Sequence, residues 1–131
     1  MIQSLALATF LAVSAVLSAP VTPEALIQKQ VDAYNAHDLE AFSACYGEAI
    51  EFRTMDGKVG PEKGLAALRK GYADLFKRFP KLKVKILKRI SQGAFVIDQE
   101  QAEGMGPNPI TVTAIYETAQ GKIVHVWFIE G

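Results

Sequence analysis

Along residues 20–131 the hydrophobic and polar positions repeat first with a helical period and then with a period of two. Ile27, Val31 and Tyr34 share one helical face, and Gln30 sits among them as an amide in apolar company. Thr22-Pro23-Glu24 is a helix start: the threonine caps, proline is tolerated at the first position, and glutamate suits the positive end of the dipole. Asn35-Ala36-His37 breaks that helix. Asp38 is placed to cap a second, short one carrying Leu39, Phe42, Cys45 and Tyr46. Ala49 to Thr54 reads as a strand, and Met55 to Lys58 as a turn. A long helix after Gly60-Pro61 buries Leu65, Leu68, Tyr72, Leu75, Phe76 and Phe79 and stops at Pro80.

From Lys81 onward lysines alternate with Leu82, Val84 and Ile86, the mark of a strand with one wet face. The adjacent Ile86 and Leu87 break the alternation, which predicts a bulge. Strands follow over Ala94–Gln101 and Ile110–Thr118, and Gln120-Gly121 turns the chain into a last strand, Lys122–Ile129. Helices followed by a run of strands imply an α+β domain, with the helices gathered on one face of a curved antiparallel sheet. An uninterrupted two-residue hairpin would set Thr118 opposite Ile123, Tyr116 opposite His125 and Ala114 opposite Trp127. Thr113, Ile115, Val124, Val126 and Phe128 would then share the other face. Both faces would be apolar and both would need cover. The expectation is a homodimer through sheet faces, anchored by Ile123, His125, Trp127 and Tyr116.

Met1 to Ala19 holds no charged residue and is apolar at 14 of 19 positions, too short a run to span a bilayer comfortably. It reads as a secretory signal peptide, with Ala15 or Ala19 ending a small-residue cleavage site, or else as an N-terminal anchor. Cleavage would leave 20–131 as a single secreted or periplasmic domain, with no membrane insertion of its own.

The 131 residues carry 14 Lys plus Arg against 14 Asp plus Glu and are 50% hydrophobic, a composition that folds and that excludes a disordered tail. Between Lys58 and Arg89 there are 11 basic and 2 acidic residues, yet no aromatics interleave with Lys81, Lys83 and Lys85. Solvation and edge protection explain that stripe better than nucleic-acid binding; an acidic partner or a membrane surface is the remaining alternative. Cys45 is the sole cysteine, and no His/Cys spacing has metal-ligand form. A disulfide framework and a structural metal are therefore not expected; no bound cofactor is expected either.

The segments YNAHDLEAF (Tyr34–Phe42), IEFRT (Ile50–Thr54) and AIYETAQGKIVHVWFI (Ala114–Ile129) resemble the nuclear transport factor 2-like superfamily, in particular its SnoaL-like and ketosteroid (steroid delta-) isomerase-like members. The resemblance covers almost all of Pro23 to Ile129. It implies a conical barrel formed by a strongly curved sheet packed on three helices around an apolar pocket, and it leaves activity open, because this scaffold hosts isomerases, cyclases, hydrolases and binding domains. With Asn35-Ala36 and Asp38 as the anchor, the isomerases' oxyanion-hole tyrosine falls on Gln30, their carboxylate base on Thr54 and their protonated aspartate near Thr113. None of the three is retained. The implied pocket is therefore a polar-and-apolar wall of Gln30, Tyr34, Thr54, Gln99, Thr113, Val126 and Phe128 around a small hydrophobic molecule, with the isomerase machinery missing.

Three groups remain as catalytic candidates. Asp98 and Glu100 lie two apart in a strand and could work as an acid/base pair, although the resemblance would turn Asp98 away and bring Gln99 inward. His125 could serve as a general base or as a structural histidine at an interface. Asp38 reads first as a helix cap, and Arg53 as a partner of Glu51 or Asp98 or as a contact for an anion. Two classes follow: an enzyme using cofactor-independent acid/base chemistry, or a non-catalytic ligand-binding or dimeric interaction module.

Overall fold

The computed structural model describes residues 21–58 and 60–131; the expected signal segment, residues 1–19, lies outside them. Helix α1 runs Pro23–Asn35 with Thr22 capping through the Ala25 N–H, and α2 runs Leu39–Ser43 with Asp38 capping through the Ala41 N–H. Strand β1 (Tyr46–Thr54) begins three residues earlier than its apolar run, and a two-residue strand β2 (Glu62–Lys63) precedes α3 (Leu65–Arg78). Then come β3 (Lys83–Gln92), β4 (Phe95–Glu103), β5 (Ile110–Ala119) and β6 (Lys122–Glu130). The six strands form one sheet in the order β2-β1-β6-β5-β4-β3. Strands β3 to β6 are antiparallel, as their hairpin turns require, whereas β1 joins β6 in parallel. The result is the expected α+β architecture: three helices on a curved, unclosed sheet. No helix among the described residues is long and apolar enough to cross a membrane.

Two bulges decide which side chains face the helices. In β3 the register slips at Leu87: Ile86 pairs with Glu100, but Lys88 pairs with Gln99 and Arg89 with Asp98. The extra residue reverses the parity of everything after it, so Arg89 joins Val84 and Ile86 on the inner face while Ile90 turns out. The second bulge lies at Val124 in β6. The turn itself is as expected, with Gln120 and Gly121 both at positive φ and Thr118 opposite Ile123, yet Glu117 then pairs with His125, Tyr116 with Val126 and Ala114 with Phe128.

That slip corrects half of the expected dimer anchors. Ile123 and Tyr116 are core residues, at 0% and 3% exposure, and only His125 and Trp127 remain on the outer face. It also moves Thr113 and Ile115 from the inner face to the outer one, because each sits between inward neighbours. Val126 and Phe128 do face inward as expected, Val126 being fully buried in the core.

The helices are fastened to the sheet by rings and by two side chains at the end of α1. Phe42, fully buried, meets Tyr34, Tyr46, Tyr72 and Phe76 at centroid distances of 4.5–6.0 Å. The Asn35 side-chain amide donates to the Val84 carbonyl at 2.9 Å and its Oδ1 accepts from the Val84 N–H at 2.8 Å, so a helix-ending asparagine mimics one rung of sheet against β3. His37, at φ +53°, stacks on Phe76 at 4.7 Å and hydrogen-bonds the Leu82 carbonyl through Nε2. We expect Asn35→Ala to cost about 2 kcal/mol in urea unfolding, because two backbone groups of Val84 lose their partner. An exposed alanine control on the same helix such as Lys29→Ala should cost less than half of that.

Candidate functional site

Strand β4 alternates strictly. Val96, Asp98, Glu100 and Ala102 point inward and are buried, and Phe95 and Gln99 are exposed on the other side. The inward phase reverses the orientation implied by the family alignment: Gln99 is not a pocket residue, and Asp98 and Glu100 are both interior. Their fates differ. Asp98, at 0% exposure, is held by Arg89 in a two-pronged ion pair, Nε to Oδ1 at 2.7 Å and Nη2 to Oδ2 at 2.8 Å, and Arg89 reaches on to Gln28 Oε1 of α1 at 2.9 Å. Its charge is fully matched.

Among the described residues Glu100 has no cation of its own. It accepts a hydrogen bond from the Tyr116 hydroxyl at 2.9 Å on Oε1, while Oε2 carries none among the described residues. Burial pushes its carboxyl up from the ordinary 4.5 to about 7, against the opposing effect of the Tyr116 hydrogen bond; nearby Asp98 raises it further and Arg89 opposes that. Glu100 is thus near half ionised at neutral pH, the condition in which one group both takes and returns a proton.

Glu100 opens onto a cavity of about 200 Å³ between α1, α3 and the sheet. Four tyrosines line it: Tyr34 from α1, Tyr46 from β1, Tyr72 from α3 and Tyr116 from β5. Burial raises all four phenols above their usual range, so they stay protonated. Val31, Val84, Ala102, Val112 and Phe128 supply apolar wall. Gln30 also lines the cavity, at 5% exposure; its side chain lies within hydrogen-bonding reach of Tyr46, and its Oε1 has no partner.

Of the residues expected at the pocket, Gln30, Tyr34 and Phe128 therefore meet in this cavity, and Val126 packs in the core. Thr54 lies instead in a neighbouring cavity of about 240 Å³ with Phe52, Leu68 and Leu75, separated from the first by Tyr72 and Phe128. Its hydroxyl bonds the Asp56 carboxylate. Thr113 faces outward beside Gln99, its partner across β4 and β5. Gln30, Thr54 and Gln99 do not converge on one space. His125 sits on the outer face, 3.3 Å from Glu117 and stacked on Trp127, remote in the fold from the cavity. Arg53 pairs with Glu51, one of its two expected partners, and Asp38 is the cap already described. The tyrosine wall is what residue reasoning missed. Tyr46, Tyr72 and Tyr116 come from three separated elements, and only their common inward phase marks them.

The family model for the SnoaL-like domain matches residues 27–126, and the chain belongs to that family. A comparison with curated protein sequences finds no match. Among solved structures, a cystatin-fold protein from Novosphingobium aromaticivorans is 23% identical, with a TM-score of 0.76 over 83% of this chain and 98% of that one. A candidate polyketide cyclase from Sinorhizobium meliloti is 16% identical at TM-score 0.70 over 79% and 93%. A candidate ketosteroid isomerase from Kribbella flavida is 15% identical at 0.73 over 83% and 77%. At these identities the likeness establishes the fold.

A raised carboxyl leaves a signature in stability. Below pH 4.5 Glu100 is protonated in both the folded and the unfolded chain. Between 4.5 and 7 the unfolded chain ionises first, so stability falls as pH rises through that window and levels off above it. Glu100→Gln removes the titration. Relative to the parent protein, the variant should gain on the order of 3 kcal/mol between pH 4 and pH 8, read by urea unfolding at each pH; a gap that does not widen with pH contradicts the buried, raised carboxyl.

Proposed function

We propose that the protein acts on a small, largely apolar molecule by cofactor-independent acid/base chemistry, with Glu100 as the group that moves the proton. The observation that carries this reading is a buried carboxyl that no cation among the described residues pairs with, raised to about 7 and opening onto a cavity. Reactions of this class need a base within reach of a carbon-bound proton and hydrogen-bond donors for the oxygen that gains charge. Glu100 supplies the first, and the protonated phenols of Tyr34 and Tyr72 supply the second. The base that ketosteroid isomerases carry at the position of Thr54 is replaced in function by a carboxyl on β4, so a SnoaL-like pocket is equipped from a different wall.

The test uses phenylacetone in D2O, with deuterium incorporation at its acidic carbon followed by mass spectrometry. The parent protein should accelerate exchange, and Glu100→Gln should reduce that acceleration by about a hundredfold or more. Equal rates for the two proteins would remove Glu100 from the chemistry. Binding of the ketone with no exchange by the parent protein would make the cavity a binding site and the chain a ligand-binding module.

The same reading places a second copy of the chain on the outer sheet face. Ile90 and Phe95 are exposed there at 53% and 41%, and with Ile97 and Ile115 they line a surface hollow of about 420 Å³. Trp127 and Ile129 continue the apolar face across β6. A two-fold contact covers such a patch with itself. Residues 1–19 in this reading direct export and leave 20–131 as the working domain. Sedimentation equilibrium should give a dimer, and Ile97→Lys a folded monomer; a monomeric parent protein at 100 μM or so would refute the contact.

A further inference from the structure

The cavity's size and its unmatched polar atom together restrict what it can hold. Its volume of about 200 Å³ lies below the roughly 300 Å³ at which drug-sized ligands begin, and not far above the roughly 150 Å³ that accommodates a benzene ring. Rings rather than chains dominate its wall: Tyr34, Tyr46, Tyr72, Tyr116 and Phe128 all face it, and aromatic side chains favour a planar guest packed edge-to-face or offset. Apart from its carboxyl groups, the wall asks for a hydrogen at one point. With the Gln30 side chain in reach of Tyr46, its Oε1 is still buried and unpartnered, and a donor entering the cavity would satisfy it.

We propose that the ligand is a single-ring, planar molecule bearing a hydroxyl, a phenol or a cyclic enol, which donates to Gln30 Oε1 while its ring packs among the tyrosines. A saturated four-ring skeleton exceeds the space, and a hydrocarbon of the right size leaves the amide oxygen unsatisfied. The hydroxyl is what distinguishes the true ligand from its isosteres, since a site built to bond a hydroxyl rejects the analogue lacking it. This assignment rests on the acid/base reading only in sharing its cavity. It specifies which small molecule shares the cavity with Glu100: one whose enol or phenol hydroxyl is fixed at Gln30.

The test is calorimetric titration of the full chain with p-cresol and with p-xylene, which replaces the hydroxyl by a methyl group of similar size. p-Cresol should bind about tenfold or more tightly than p-xylene. In Gln30→Met, a variant close to glutamine in shape, that preference should shrink to about threefold or less while p-xylene affinity is retained. A 3-hydroxysteroid should not compete with p-cresol. Equal affinity for the phenol and the hydrocarbon, a preference untouched by Gln30→Met, or tighter binding of the steroid would each overturn the proposal. The parent-protein comparison needs no variant, so a poorly folding Gln30→Met leaves it decisive. Failure here, with deuterium exchange still dependent on Glu100, would sink the ligand assignment alone; exchange independent of Glu100, with the phenol preference intact, would sink the acid/base reading alone.

Discussion

Desolvation of the inner face of β4 is the constraint on which the rest of this molecule turns. The strand carries two carboxylates into the space between sheet and helices, where a bare charge costs several kcal/mol. The fold meets that cost twice, by different means. Asp98 is matched by Arg89 with two short hydrogen bonds and serves as a structural tie between β3, β4 and α1. Glu100, one inward step along, has only a phenol to lean on, and it meets the cost by holding its proton up to about pH 7. The same burial that would destabilise an ordinary carboxylate poises this one near neutrality, the condition that proton transfer requires.

The bulge at Leu87 makes the difference between the two acids possible. Without it, strict alternation from Val84 and Ile86 would set Lys88 opposite Asp98 and send Arg89 to solvent, offering the buried carboxylate a single ammonium in place of a guanidinium. One extra residue thus selects arginine, whose planar fork fits a carboxylate at both oxygens. The bulge at Val124 works on the opposite edge of the core. It sets Val126 rather than His125 opposite Tyr116, so Tyr116 lies inside with Glu100 while His125 and Trp127 lie on the outer face.

Membership of the SnoaL-like family accounts for the scaffold and does not determine the chemistry. Of the three positions at which a ketosteroid isomerase would place its machinery, this chain brings Gln30 to the cavity, sets Thr54 in the adjoining one and turns Thr113 to the outside. The carboxyl with a raised pKa that opens on its cavity comes from β4 instead. The cone has several inward-facing strands, and any of them can present a carboxyl to the same hollow, which is how one architecture supports different reactions without changing its core.

The helices, their caps, the turns and the strands of this protein are determined locally. Thr22 and Asp38 cap because a short side-chain oxygen reaches a free N–H two or three residues on, and Gln120-Gly121 turns because both residues tolerate positive φ. The α+β class followed from those elements, and so did the bulge after Ile86. The pair Asp98 and Glu100 was legible too, as two acids on one face of a strand. Which face that was, and hence whether Gln99 or Glu100 met the cavity, was not. Strand parity is reset by every bulge, and a bulge is fixed by the pairing of strands that are distant in sequence, as β3 pairs with β4 and β5 with β6. The orphaned oxygen of Gln30, the tyrosine wall and the raised carboxyl exist only once those strands and α1 close over the same space, because burial is a property of neighbours that no single segment carries.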